Sequence, residues 1–242
     1  MDAERYAVIG PDTNTGLVQP VEAVGKICKA LDIPYLVDAC QSIGQFPVDV
    51  EAIGCDFLSA TFRKFLRGPR GAGFLYVSDK ILQKGWYPLF IDLRGGVWTE
   101  PDKFKVREDA IRFEDWELPY ALVMGSRIAT AYAMEVGLES IASRNRELTA
   151  IIRKRLPEAG WQDHDRGTVT SAIISTTKKL EDPRQAMKIM RERNINTAIA
   201  FRQNAVIDFD SKNLNWILRI SPHYYNTEAE IDRLMETLAE LN

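Results

Sequence analysis

The chain has 242 residues, 45% apolar, 27% charged and 10% aromatic, with 31 basic against 34 acidic side chains and a formal net charge of -3. That balance excludes a mainly disordered chain and leaves room for one large domain or two small ones of roughly 100 to 200 residues each. Nucleic acid is not expected as a partner without a basic excess, and neither is a membrane: the longest uncharged stretch, Gly167 to Thr177, has 11 residues where a spanning helix needs about 20.

Short apolar runs alternate with segments of helical period, the signature of strands joined by crossover helices, so an α/β fold with a mostly parallel sheet is expected. Tyr6 to Ile9 reads as a strand and Pro11 to Gly16 as a polar loop. Pro20 to Leu31 places Val21, Val24, Ile27, Cys28 and Leu31 on one helical face. Strands follow at Pro34 to Val37, ending at Asp38, and at Asp56 to Ala60, with a short helix near Val50 to Gly54 between them. A loop from Lys64 to Gly73 leads into the strand Phe74 to Val77. Lys84 to Asp115 reads as a long irregular connection. Pro119 to Leu138 has the spacing of one long helix, followed by a charged helix to Leu156, a strand Thr170 to Ser175, a helix Pro183 to Arg193, and strands Ile195 to Ala200 and Trp216 to Ile220. Thr227 followed by Glu230 has the spacing of a capping box opening a last helix to Leu241. A domain boundary is expected near residue 138, giving domains 1–138 and 139–242.

The first ten residues carry Asp2, Glu4 and Arg5 and lack the apolar run of a secretion signal, so a cytoplasmic protein is expected. Three cysteines (Cys28, Cys40, Cys55) fit neither a disulfide framework nor a zinc site, and two histidines make a histidine metal centre a poor fit. Cys28 and Cys40 are expected in the core.

In an open parallel sheet ligands sit beyond the carboxyl ends of the strands, so polar residues that close apolar runs carry most information. Asp38, with Gln41 after it, closes one; the bland alternative is a turn-forming aspartate. Lys64 stands among aromatic residues after another; the alternative is a snorkelling surface lysine. Thr13 to Gly16 is by itself only a turn. Together they suit one chemistry. A partly desolvated lysine beside other cations can condense with an aldehyde, and pyridoxal 5'-phosphate supplies an aldehyde, a ring nitrogen that needs a carboxylate, and a phosphate that needs hydroxyl and cationic donors. Asp38, Thr61, Arg63 and Lys64 supply that set.

In Thr13-Asn14-Thr15-Gly16-Leu17-Val18-Gln19-Pro20, Leu36-Val37-Asp38-Ala39-Cys40-Gln41-Ser42-Ile43-Gly44, Asp56 through Lys64, Arg67-Gly68-Pro69-Arg70-Gly71, Arg112-Phe113-Glu114 and Arg219-Ile220-Ser221-Pro222-His223-Tyr224-Tyr225-Asn226, the sequence resembles the class V aminotransferases of fold type I. That family includes cysteine desulfurases, selenocysteine lyases, cysteine C-S lyases and isopenicillin epimerase-like proteins. The resemblance covers essentially the whole chain. It implies that Lys64 is the Schiff-base lysine, that Asp38 pairs with the pyridine nitrogen, and that Gln41 meets the ring hydroxyl. Thr61 and Arg63 then hold the phosphate, Arg219 binds the substrate carboxylate, and Asn14, or Thr13 beside it, lies by the substrate or ring hydroxyl. It also implies a homodimer. Residues 1–138 become the C-terminal part of the cofactor-binding large domain and 139–242 the small C-terminal domain. The family's usual length implies that an N-terminal part, with a phosphate loop and a ring-stacking residue, is lacking.

Phe201 to Asn215 holds no cysteine to accept sulfur, so the expected reaction is β-elimination by a C-S lyase acting on cysteine, cystine or a cysteine conjugate. The alternatives are an epimerase, an aminotransferase or a cysteine desulfurase of the same family, and a truncated, non-catalytic remnant or partner subunit. His223 is read as a second acid or base, or as a capping or packing residue. Trp98 and Trp116 are read as channel or packing residues.

Overall fold

The computed structural model describes residues 15–241 and the backbone of residues 7–9. The chain divides into two compact units, one of Met1–Gly10, Pro20–Ile43 and Val48–Glu135, the other of Pro11–Gln19, Gly44–Pro47 and Val136–Asn242. Two short segments of the N-terminal half therefore belong with the C-terminal elements.

The first unit is built on a four-stranded sheet. β1 (Ala7–Ile9) lies parallel to β2 (Tyr35–Asp38), β2 parallel to β3 (Phe57–Thr61), and β3 antiparallel to β4 (Gly73–Val77), in the order β1-β2-β3-β4. Between β1 and β2 runs α1 (Val21–Ala30), and between β2 and β3 runs α2 (Val50–Ile53). α2 starts where the Asp49 carboxylate accepts from the N–H groups of Glu51 and Ala52, at 2.9 and 3.2 Å, and stops at Gly54 in the left-handed region, φ 68°. Its partner α1 approaches so closely that a Cβ on Gly25 would stand 1.8 Å from the Ile53 carbonyl oxygen. Tyr35, Val37, Leu58 and Ala60 are buried between these helices and the sheet, with Cys28 and Cys55 beside them. Each such large apolar side chain contributes about 1.5–3 kcal/mol on burial.

After β4 come α3 (Asp79–Gln83), a hairpin of β5 (Gly96–Glu100) and β6 (Lys103–Val106), a 3-10 turn (Ala110–Phe113) and α4 (Tyr120–Val136). The hairpin corrects the expectation of an irregular 84–115 connection. Alternation around the Pro101-Asp102 turn is its signal, but both faces of the hairpin are exposed, one carrying Val97 and the other Trp98, so no amphipathic contrast marks the strands. Arg112 is buried and donates to the carbonyls of Ile81 and Arg107 at 3.2 and 3.3 Å, which fastens this excursion to α3.

The second unit is an antiparallel sheet, β7 (Gln162–Asp163), β8 (Ile174–Thr177), β10 (Trp216–Ile220) and β9 (Ala198–Phe201), in the order β7-β8-β10-β9. Its helices are α5 (Leu138–Arg155), α6 (Pro183–Glu192), α7 (Val206–Lys212) and α8 (Glu228–Glu240). The core gathers Leu148, Ile152, Trp161, Ile174, Met190, Leu218, Leu234 and Leu238. The expected capping box is present: Glu230 N–H donates to Thr227 Oγ1 at 3.3 Å and Thr227 N–H to Glu230 Oε2 at 2.8 Å. Three expectations move. The strand expected at 170–175 is β8 at 174–177, because Thr170 is spent on a single bridge to Leu17. The strand expected at 195–200 is β9 at 198–201, because Asn194 turns into the left-handed region, φ 58°, and Ile195 N–H closes back on Met190. The segment 201–215 is not a loop throughout: it holds a 3-10 turn (Arg202–Asn204) and α7, anchored by the buried Phe209.

Candidate active site

Asp38 and Thr61 are the last residues of two parallel neighbours, β2 and β3, and Asp38 stands in register with Ser59. Both therefore lie at the carboxyl ends of strands, where the peptide groups run out of sheet partners and side chains can reach a ligand. The chain turns at once after β2: Cys40 N–H donates to Asp38 Oδ1 at 2.8 Å, and the N–H groups of Ser42 and Ile43 both return to the Ala39 carbonyl. Gln41 sits buried in that turn.

Lys64 lies in the loop that joins β3 to β4. This loop closes on itself through Phe62 N–H to Ala72 O at 3.2 Å, Arg67 N–H to Lys64 O at 2.8 Å and Gly68 N–H to Phe62 O at 2.8 Å, and Thr61 Oγ1 donates to Ala72 O at 3.3 Å. Two left-handed residues make the turns possible, Arg67 at φ 60° and Gly71 at φ 88°. α4 supports the loop from behind. Gly125 comes so near that a Cβ there would stand 2.8 Å from Pro69 Cγ, and the Arg67 guanidinium lies over the Tyr132 ring, 5.6 Å from its centroid. Arg63 is exposed, while Thr61 and Lys64 are half-buried.

The Cys40 thiol ties these pieces into one neighbourhood. Burial pushes it up from its ordinary value, and its hydrogen bond to the Asp38 carboxylate adds to the rise; the Lys64 ammonium and a backbone hydrogen bond from Thr61 pull the other way. The Asp38 carboxylate and the Thr61 backbone thus lie within hydrogen-bond reach of one half-buried sulfur, and the Lys64 charge is felt there. Cys40 was expected in the core and is instead part of this cluster; Cys28 and Cys55 are the core thiols, with Cys55 pushed up to about 11 by burial. A carboxylate and a hydroxyl at the ends of adjacent strands, with a guanidinium and an amine in the loop that follows, form a donor set that fits pyridoxal 5'-phosphate.

Arg219 lies on β10 in the second unit, opposite Ser175 of β8. It is half-buried, and burial lowers its affinity for the proton, though a guanidinium keeps its charge. His223 is buried with its Nδ1 3.2 Å from Asn145 Oδ1, in the same unit. Trp98 and Trp116 are 70% and 59% exposed. Asn14 and Thr13 lie outside the described residues. Among the described residues no group of three or more His, Cys, Asp or Glu side chains could hold a metal ion, and no helix is long and apolar enough to cross a membrane.

Residues 5–234 match the family model described as aminotransferase class-V. The chain belongs to this family. Pyridoxal 5'-phosphate is the cofactor of its enzymes. A probable cysteine desulfurase of Borreliella burgdorferi is 30% identical over 240 residues, which cover 95% of this chain and 56% of that protein. A probable hercynylcysteine sulfoxide lyase of Mycobacterium tuberculosis is 30% identical over 230 residues, covering 93% and 54%. The apo structure of a cysteine desulfurase from Thermococcus onnurineus NA1 superposes with a TM-score of 0.90 at 23% identity, over 98% of this chain and 59% of that one. The fold is thus that of the fold type I enzymes, and the chain spans between half and two thirds of the length of these three relatives.

Proposed function

We propose that this chain is the greater part of a pyridoxal-phosphate enzyme that cleaves a C-S bond of a sulfur-containing amino acid by β-elimination. The observation that carries the reading is the placement of Asp38 and Thr61 at the carboxyl ends of adjacent parallel strands, with the Lys64 loop directly after Thr61. When bound, the cofactor supplies an electron sink for the pair left at the substrate α-carbon.

The protein's part is binding, orientation and proton transfer. Lys64 Nζ would hold the cofactor aldehyde and is the amine that would accept the proton of the substrate α-carbon. The Asp38 carboxylate keeps the ring nitrogen protonated, because an anion beside a pyridinium favours its charged form. Gln41 donates to the ring hydroxyl. Thr61 Oγ1 and the Arg63 guanidinium take phosphate oxygens. Arg219 and Asn14 recognise the substrate, Arg219 with the two-pronged geometry that suits a carboxylate.

The choice of elimination over persulfide transfer rests on the thiols. Desulfuration needs an accessible thiolate to take sulfur, whereas Cys28 and Cys55 are buried and Cys40 is raised by burial and by Asp38. Incubating the cofactor-loaded chain with cysteine, cystine and cysteine sulfoxide conjugates should give pyruvate and ammonia from at least one. Alanine as the only carbon product identifies a desulfurase instead, and product from none of them favours a non-catalytic partner subunit.

We also take the working form to be a homodimer. The exposure of Ile128 and Met134 on α4, 63% and 69%, supports an association face. Sedimentation should give twice the chain mass, and Ile128→Asp should shift it toward the monomer.

A further inference from the structure

Within the second unit, Gly16 to Val18 form a strap held by one carboxylate and by backbone bonds. Gly16 N–H donates to Asp165 Oδ1 at 2.7 Å, Ser171 N–H to Gly16 O at 2.7 Å and Val18 N–H to Val169 O at 3.2 Å, with Leu17 bridged to Thr170. The fit admits no side chain at the centre: a Cβ on Gly16 would stand 2.0 Å from Ile173 O. The other oxygen of Asp165 faces β8, accepting from Ser175 N–H at 3.2 Å and from Arg153 Nη2 at 2.7 Å. Ser175 is the residue opposite Arg219 in the β8–β10 register. Arg153 also donates to Ile173 O at 3.1 Å and pairs with Asp163. The Asp165 side chain is fully buried. A buried carboxylate is costly unless its lone pairs are filled, and here two backbone amides and a guanidinium fill them.

We propose that Asp165, held by Arg153, is a positioning residue for substrate recognition: it ties the Gly16–Val18 strap to Ser175, the β8 residue opposite Arg219, and so fixes the strand position that carries Arg219. This rests on the substrate role proposed for Arg219. Neither Asp165 nor Arg153 touches the substrate, and both lie in the second unit, whereas Asp38, Gln41, Thr61, Arg63 and Lys64 all lie in the first. The substrate term should therefore respond to the clamp while the cofactor term does not.

Asp165→Asn places an NH2 where a carboxylate oxygen accepted, so either Gly16 N–H or Ser175 N–H faces a donor. Loss of a charge-assisted bond of this kind is expected to raise KM for the amino acid about tenfold or more, with kcat changed far less. Borohydride-fixed cofactor at Lys64 should be undiminished. Hydrogen exchange of the Gly16 and Val18 amides in the cofactor-free chain should accelerate, with the β2 and β3 amides unchanged. Arg153→Met, which leaves both amide bonds of Asp165 in place, should move KM the same way by less. An unchanged KM in an Asp165→Asn chain that still fixes cofactor, or unaltered strap exchange, overturns the clamp alone. Absence of any Lys64 adduct in the parent chain overturns instead the enzymatic reading beneath it.

Discussion

Lys64 and Asp38 owe their meaning to position. A lysine among aromatics and an aspartate after an apolar run are each ordinary, and only the pairing of β2 with β3 sets the aspartate beside the strand that leads into the lysine loop. Asp38→Asn should retain cofactor fixation at Lys64 but lower turnover by about a hundredfold or more, as removing a preorganised charge partner does; equal turnover of the two chains would remove Asp38 from its proposed role. A packing prediction concerns Gly25. Its missing Cβ lets α1 lie against the Ile53 carbonyl, so Gly25→Ala should destabilise the chain by about 1–3 kcal/mol through overpacking, read by denaturant unfolding. The pH dependence of stability can be placed at Glu228, whose carboxyl is held at about 2, below its ordinary 4.5, first by the hydrogen bond from Arg144 at 2.6 Å. The depressed value means that the folded state binds the proton less tightly than the unfolded one. The contribution is therefore complete above about 4.5 and disappears as pH falls toward 2. Glu228→Gln should flatten acid unfolding in that window.

At the scale of elements, the parts with strong periodicity and chemical end signals were legible: α1, α5, α6 and α8, and the strands that close on Asp38 and Thr61. The Thr227–Glu230 box was readable because its side chains bond only to their own turn. Thr227→Ala should cost about 1 kcal/mol, measurable as a lower unfolding midpoint. The β5–β6 hairpin and α7 were not readable, because one exposes its apolar side chains and the other buries only Phe209. β7, with two residues, has no period to detect. The strap at Gly16 was likewise hidden: its partners Asp165 and Ser171 lie some 150 residues on, and a short polar loop shows nothing of contacts that distant. Cys40 was misplaced for a related reason, since free cysteine is usually core and only the fold reveals a neighbouring lysine loop.

At the scale of the whole molecule, the chemistry divides between the two units. The residues proposed to hold the cofactor fall in the unit of the β1–β4 sheet, while Arg219 and the strap fall in the unit of the antiparallel sheet. The fold class was readable from the order of apolar runs, but the return of 11–19 and 44–47 to the second unit was not, because periodicity carries no long-range contact. Buried polar groups mark one such return. Gln45 Oε1 accepts from Ala172 N–H at 2.7 Å, and Asn145, the partner of His223, donates to Gln45 O at 3.4 Å. His223 thus joins a buried polar network through Asn145. The account stands or falls on the amine at position 64, and the direct measurement is borohydride reduction of the chain with pyridoxal 5'-phosphate followed by peptide mapping. The expected result is one reduced adduct, on Lys64, absent from Lys64→Ala. An adduct on other lysines alone, or an equal yield from Lys64→Ala, would contradict it.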